Sequence, residues 1–446
     1  MSEQVTTIRK ALHFFRLGLA TWFASVGVGF AQNTTPDQFD IEPDLEPPAV
    51  GFFSTDWLAL SGEVRERASY VSDVEYDPNN PDNGWFWTQR LALNGDFTFT
   101  PNFRGRVSLL SAVVEGIDAN PLERNLADVQ EGYLEWGNQD GYLRVGRQVA
   151  GFGSARLVSN RNGTNVKRVF DGIRGHLVAG DWEVDAFALS EVRVEPEGVF
   201  NDRSDNGSLL TGIYATTPAP LGSLDVYFLY SEFDNKRTIE NTADQQRHSV
   251  GVRSFGERGN VFWNWEAVYQ FGDQGDLDIA AWTLATNTGY RWLDVPWEPE
   301  FLLSTNISSG DKRQGDGELN TFDALYPRGN YFSQLVLLGP SNFFNFHPII
   351  KMHPREEILL FFDVNFYWRM DTDDGIYGPV ANLIRPGDGS DTRHVDTSIS
   401  GGIEWEFSEG FFMSALFTHA MPGDFIEDTG PSASIDFFEL TFEYQF

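Results

Sequence analysis

The final ten residues, Phe437-Phe438-Glu439-Leu440-Thr441-Phe442-Glu443-Tyr444-Gln445-Phe446, constrain this chain more than any other segment. Phe438, Leu440, Phe442, Tyr444 and Phe446 recur at every second position, with Glu439, Thr441, Glu443 and Gln445 between them. Successive side chains of a strand point to opposite faces, so one face here is wholly apolar and the other polar. Such a strand has lipid on one side and water on the other. The last strand of a soluble sandwich would show the same local pattern, so the rest of the chain has to decide.

The N-terminus reads as an export signal. Arg9, Lys10 and Arg16 precede an apolar stretch at 17–30, and Gly29-Phe30-Ala31 supplies small residues for cleavage before Gln32. The stretch is too short for a spanning helix and no second one follows. Residues 1–31 are therefore expected to be a signal peptide, 32–53 a periplasmic linker, and 54–446 the folded unit. The chain has no cysteine, which excludes disulfides and thiolate metal sites. Its formal charge of −33 makes nucleic acid an unsuitable partner. The acids gather in Pro-, Gly- and Asn-rich segments at 73–84, 371–375 and 424–430, which read as solvated loops. Segment 371–375 resembles a calcium loop only superficially, because its Gly comes too early and no Glu follows at the right distance. Neither a metal nor a cofactor is expected.

From residue 57 onward, segments of alternating polarity follow one another to the end. The clearest are 57–71, 85–100, 103–114, 261–271, 356–370, 393–407 and 435–446. Weaker ones, including 125–136, 142–149, 166–179 and 182–193, bring the total to about eighteen, the even number expected of a single-chain barrel. The connections alternate between short turns, such as 100–102, 179–181 and 408–410, and long segments, such as 151–165, 309–342 and 371–392. Short periplasmic turns alternating with long extracellular loops are the mark of an up-and-down transmembrane β-barrel, and a sandwich has no reason to keep that pattern. Tryptophans such as Trp57, Trp85, Trp182, Trp292 and Trp405 lie near strand ends, as interfacial girdles require. Segment 319–342 holds either further strand or only loop.

Alternation also assigns the lumen face. Glu63, Arg65 and Arg67 oppose Leu58, Leu60 and Val64, with Glu66 an exception on the apolar phase. Arg90, Asn94 and Asp96 are placed inward on the second strand, Arg104 and Arg106 on the third, and Arg144 on the fifth. Arg168, Arg174 and His176 share one face of the sixth. Lys351, Arg369, Arg247 and Arg253 follow later in the chain. Asp225, Glu266, Glu300, Asp396, Glu404, Glu439 and Glu443 contribute acids from the second half. Arg at mid-bilayer depth on the lipid face costs roughly 2–4 kcal/mol, so inward placement is required. Clustering is not required, and guanidinium forks suit carboxylates. Either the patch guides anions or it latches the barrel through Arg–acid pairs. Loop arginines such as Arg385 are expected to be exposed and dispensable.

Several of these blocks resemble the alginate export porin family. They are Leu60-Ser61-Gly62-Glu63-Val64-Arg65-Glu66-Arg67, Val145-Gly146-Arg147-Gln148, Phe170-Asp171-Gly172-Ile173-Arg174 and Leu325-Tyr326-Pro327-Arg328-Gly329-Asn330-Tyr331-Phe332. The resemblance implies an eighteen-stranded outer-membrane barrel whose arginine-lined lumen passes an anionic uronate polymer. It carries the lumen role onto Arg65, Arg67, Arg90, Arg144, Arg147, Arg168 and Arg174. Arg147 shares the phase of Val145 and Val149, so a bulge would be needed to turn it inward. The family's long periplasmic loop near the C-terminal strands is replaced here by Ser408-Glu409-Gly410, which implies conductance without a gating partner. Outer-membrane lipid and lipopolysaccharide, the barrel assembly machinery, and an anionic polysaccharide or oligosaccharide are the expected partners of a monomer. The alternatives are a general diffusion or uptake porin, a structural or adhesion barrel, and a lipid hydrolase. The last lacks any visible nucleophile–base set.

Overall fold

The computed structural model describes residues 51–329 and 335–446. The signal-peptide expectation, and most of the linker expectation, lie outside the described residues.

Eighteen long strands make up the wall. In chain order they are β1 Leu58–Val71, β2 Gly84–Thr100, β3 Phe103–Glu115, β4 Asn125–Asn138, β5 Gly141–Gln148, β6 Phe170–Ala179, β7 Trp182–Arg193, β8 Ser208–Ala219 and β9 Gly222–Arg237. The second half comprises β10 Thr242–Arg258, β11 Val261–Gln274, β12 Leu277–Arg291, β13 Glu300–Ser308, β14 Phe343–Arg355, β15 Ile358–Arg369, β16 His394–Ser408, β17 Phe411–Pro422 and β18 Ile435–Gln445. Each pairs antiparallel with its chain neighbours, and β18 pairs with β1 from Glu63↔Gln445 to Val71↔Phe437. Hydrocarbon offers no partner to a free N–H or C=O, so a sheet can span a bilayer only when closed in this way. The last residue extends the seam: the Phe446 N–H donates to Gly62 O at 2.9 Å, and the Gly62 N–H to Phe446 O at 2.6 Å. A Cβ on Gly62 would lie 2.6 Å from the Phe446 ring, so only glycine lets the terminal ring lie flat over β1.

The alternation in β18 is the one read from sequence. Ile435, Phe437, Glu439, Thr441 and Glu443 face in, and Phe438, Leu440, Phe442 and Tyr444 face out. Around the wall, Leu93, Val107, Leu134, Leu143, Ile173, Phe228, Leu284, Phe362 and Phe417 are exposed on the outer phase. Aromatic rings form a belt near the short-turn end. Phe97, Phe99, Phe103 and Trp136 touch in series at centroid separations of 6.0, 5.2 and 5.7 Å. Trp405, Phe407, Phe411 and Tyr444 continue it on the far side of the seam. Amphipathic rings are stable at the headgroup level, so this belt marks one interface.

Turns at 101–102, 139–140, 180–181, 220–221, 259–260, 356–357 and 409–410 join strands at that end. The long connections lie at the other end, and they fold inward. Loop 149–169 and loop 309–342 meet inside the barrel: the Ser159 N–H donates to Tyr326 O at 2.9 Å and the Tyr326 N–H to Leu157 O at 2.9 Å. Phe152, Leu157 and Val158 of the first loop pack with Phe322, Leu325 and Tyr326 of the second. Both pack against the inward residues Phe187, Leu189, Leu210 and Leu229. Side chains of this size gain about 1.5–3 kcal/mol each when fully buried, enough to offset the ordering of a loop that also finds backbone partners. Among the described residues, the segment 319–342 therefore adds no wall strand. Glu318–Leu319 pairs parallel to β12 at Asp278 and Ile279, and Tyr326 bridges Val158 of the other loop.

Three sequence expectations need correction. The strand expected at 166–179 begins at Phe170, because residues 165–169 are drawn inward and the Asn165 amide donates to the carbonyls of Gln89, Val113 and Glu123. The segments read as solvated loops are partly core. Tyr76, Ile376, Phe425 and Ile426 are fully buried against Phe343, Tyr367 and Phe437. Residues Asp424–Thr429, read as loop, form a short helix, α1.

The seam yields a direct test. Phe442→Asp should abolish insertion, seen as loss of the heat-modifiable species from outer-membrane fractions. A normal heat-modifiable barrel carrying Asp at 442 would show that this phase does not face lipid.

Candidate functional site

The candidate site is the inner wall. Of the arginines and lysine assigned to it, Arg65, Arg67, Arg90, Arg104, Arg106, Arg144, Arg174, Lys351 and Arg369 lie on the inward phase of their strands. Most are held by carboxylates. Arg67 pairs with Glu439 at 3.3 Å, Arg90 with Glu63 at 2.5 Å, and Arg106 with Glu131 at 3.0 Å and Asp96 at 3.4 Å. Arg174 pairs with Asp185 at 2.7 Å, and Lys351 stands 4.0 Å from Glu300. Farther round, Arg253 bonds Asp225 at 2.9 Å and Arg156 bonds Glu266 at 2.9 Å. The acids read from the second half of the chain are largely the partners of these cations. A buried charge without a partner is costly, so a lumen this filled must match most of its guanidinium groups.

The match is incomplete in one stretch of wall. Strand register places Arg104 (β3) opposite Glu135 (β4), Glu135 opposite Arg144 (β5), and Arg144 opposite Arg174 (β6). Three arginines thus share one cross-strand row with a single glutamate. Arg104 Nη2 reaches Glu135 Oε1 at 2.5 Å, while Arg144 Nε and Nη2 reach Oε2 at 3.0 and 2.7 Å. Arg144 Nη1, and both terminal nitrogens of Arg174, have no hydrogen-bond partner among the described residues. The Arg104 side chain is 45% exposed. This row lies nearer the short-turn end, and Phe152 of the inward loop 149–169 covers the Arg174 guanidinium, 5.1 Å from its ring centroid.

A second cationic group lies where loop 149–169 crosses the lumen. Arg65 donates to Asn162 O at 3.1 Å and Thr164 O at 2.6 Å, and Arg90 donates to both carbonyls at 3.2 Å. These arginines pin the loop tip to β1 and β2. Arg65 has no carboxylate within salt-bridge distance among the described residues. Arg161, at the tip in a left-handed conformation (φ 54°), was not singled out from sequence. Its side chain also lacks a hydrogen-bonded or ion-paired partner among the described residues. Burial, and then the neighbouring Arg168, push its pKa down to about 9, which leaves it charged at neutral pH. Its sequence signal was the basic tip Arg161-Asn162-Gly163-Thr164 inside a loop with apolar flanks, which marks a loop that folds inward.

The remaining assignments differ. Arg147 is not a lumen residue: it keeps the outer phase of Val145 and Ile173 with no bulge to turn it. It is clamped by Asp171 at 2.9 and 3.1 Å and by Val129 O at 3.1 Å. Arg168 precedes β6 and ties Glu191 at 2.9 Å to Pro327 O at 3.2 Å, joining wall and loop. Arg369 is inward but fully buried, and donates to the carbonyls of Thr372, Asp374, Ser390 and Thr392. It organises loop 370–393 and is closed to solute. Arg385, expected to be exposed, is 9% exposed and donates to Ile426 O, Pro431 O and Glu75 O. Among the described residues, no cluster of three or more His, Asp or Glu groups is arranged to hold a metal.

Loop 309–342 is anchored through a buried acid. The Asp311 N–H donates to Asp374 Oδ2 at 2.8 Å, the Thr321 hydroxyl to the same oxygen at 2.7 Å, and the Tyr377 hydroxyl to Asp374 Oδ1. Asp311 is itself buried. Desolvation, with Asp374 and Glu240 beside it, raises its pKa from 3.8 to about 7. A raised carboxyl pKa favours the protonated form when folded, so its stabilisation is complete below about pH 3.8 and is lost as pH rises through about 7.

A family model described as Alginate export matches residues 56–438. No curated protein sequence matches the chain. Among solved structures, the fold is similar to that of Pseudomonas aeruginosa OccK11 (OpdR), at 12% identity, with 87% of this chain and 95% of that chain covered and a TM-score of 0.58. Pseudomonas aeruginosa OpdK, solved with vanillate, is 8% identical, with 87% and 98% covered and a TM-score of 0.59. Pseudomonas aeruginosa OccK2 (OpdF), solved in complex with glucuronate, is 11% identical, with 87% and 96% covered and a TM-score of 0.57.

Two outcomes are expected from the loop anchors. Arg385→Ser should lower stability by about 1–3 kcal/mol, because it strips the donor from buried carbonyls; an unchanged unfolding midpoint would contradict the anchor. Channel conductance should rise as pH passes through about 7 and loop 309–342 loosens, and Asp311→Asn should flatten that profile. A pH response that survives Asp311→Asn would place the titration elsewhere.

Proposed function

This chain belongs to the alginate export family and forms an outer-membrane channel, and on that premise we propose that its lumen conducts anionic sugars, uronate polysaccharide or oligosaccharide foremost. The observation that carries the reading is the row Arg104–Glu135–Arg144–Arg174, with its spare guanidinium donors. Glu135 orients two of the arginines without satisfying them, so a passing carboxylate meets preset N–H groups at little ordering cost. Beyond the row, Arg65 and Arg161 add cations without carboxylate partners where the loop crosses to the wall. In a confined lumen their field is less screened than on the outer surface, so it can outweigh the formal charge of −33 locally. The glucuronate complex of OccK2 is consistent with uronate binding on this architecture.

A second reading, passive passage of small solutes including uptake, is favoured by the two-residue turn at 409–410. With no long loop at that point on the short-turn end, solute entry from that side needs no partner to move one.

The reversal potential in planar bilayers under a salt gradient tests the primary reading. The wild-type channel should prefer anions, and Arg144→Gln with Arg174→Gln should shift the reversal potential toward neutrality while the barrel remains heat-modifiable. Arg65→Ser with Arg90→Ser should raise conductance, because the loop tip loses its pins. A cation-selective wild type would refute the anionic-sugar assignment.

A further inference from the structure

The arginine row is flanked by rings that the charge argument leaves unused. Tyr133 on β4 and Tyr142 on β5 share the inward phase of Glu135 and Arg144, and both are partly exposed. The Arg144 guanidinium lies 4.2 Å from the Tyr133 ring centroid and 5.4 Å from that of Tyr142. The Tyr142 ring in turn stacks on His176 of β6, with centroids 5.1 Å apart and planes 19° from parallel. Tyr133, Arg144, Tyr142 and His176 therefore form one continuous π stack across three strands. Neither tyrosine hydroxyl has a hydrogen-bond partner among the described residues. Opposite Tyr133, the next two positions of its row are Gly146 and Gly172, and the Gln148 side-chain amide donates to both of their carbonyls at 3.3 Å. Gly146 has a φ of 130°, and a Cβ there would lie 2.3 Å from Gly132 O and 2.8 Å from Tyr133 Cα, so the glycine lets the two backbones approach closely beside the ring.

Free guanidinium donors alone would serve any anion. Partly exposed rings suit a ligand with an apolar face as well. A pyranose ring has one: its axial C–H groups pack on aromatic carbon, while its hydroxyls bond phenol and guanidinium groups at the edge. We infer that Tyr133 and Tyr142 form a sugar-binding platform for a uronate residue, whose ring packs against Tyr133 at the end of the stack and bonds the Tyr142 hydroxyl, while its carboxylate is held by the free nitrogens of Arg144 and Arg174. The platform rests on the anionic-sugar reading above and adds to it a selection for sugars over other carboxylates. Glu135 has a positioning role: it holds Arg144 in the plane that both rings contact.

Two blockers tell these properties apart in single-channel recordings. They are a mannuronate oligosaccharide and citrate, a polycarboxylate without a pyranose ring, each added from the short-turn side. Tyr133→Leu with Tyr142→Leu should weaken oligomannuronate block by about tenfold while leaving citrate block and the reversal potential unchanged. Tyr133→Phe with Tyr142→Phe, which keeps the rings, should retain most of the oligomannuronate block and controls for folding. Equal losses for both blockers, or no loss for oligomannuronate, would overturn the platform and leave the anion reading standing. A wild-type channel blocked by neither compound would overturn both.

Discussion

Every feature of this molecule depends on the absence of a hydrogen-bond partner for the backbone inside a bilayer. The β1–β18 seam answers that constraint, and the reciprocal bonds between Gly62 and Phe446 carry it to the last residue. Closure divides each strand into a lipid phase and a lumen phase. The arginines of β1–β6 then have only one region of water to face. Their crowding follows from topology, and their chemistry from what else lines that water.

Inside, the lumen behaves partly as a protein core. Arginine–carboxylate pairs and guanidinium-to-carbonyl bonds occupy most of the wall, and two long loops meet across it. Pairing a buried charge avoids a desolvation penalty and does not by itself add stability. The pairs therefore say little about solute. More informative are the groups left over: the spare nitrogens of Arg144 and Arg174, the unpartnered Arg161, and the free hydroxyls of Tyr133 and Tyr142. Apart from Arg161, whose loop tip is pinned to β1 and β2, these lie on β4–β6, so one sector of the wall differs from the latched remainder.

Reading by alternation succeeded wherever the period-two rule applied. It assigned the outer face of β18, the inward phase of Arg65, Arg90, Arg144 and Arg174, and the eighteen-stranded count. It also identified Arg147 as out of phase, which the structure agrees with, against the role carried over by resemblance. It failed where the backbone leaves the strand. Arg385 and Asp374 sit in acidic, Gly-rich stretches that read as solvent-exposed, yet both are buried by loops whose apolar residues have no lipid to face. Phe152, Leu157 and Phe322 carried the missed signal, as did inward-phase Phe187 and Leu189, because a lumen wall with apolar residues on its water side needs something packed against it.

The sequence by itself determined the class of fold, the lipid face and the inward phase of the strand cations. Those depend on local periodicity and on the cost of charge in hydrocarbon, and both act residue by residue. Only the tertiary structure decided which cations are spent and which remain available. That depends on strand register, which sets Arg104, Glu135, Arg144 and Arg174 in one row, and on loops from distant parts of the chain that bring carbonyls to Arg65 and Arg90. A charge is compensated by whatever lies within a few ångströms, and residues separated by a hundred positions in the chain become neighbours only when the barrel closes.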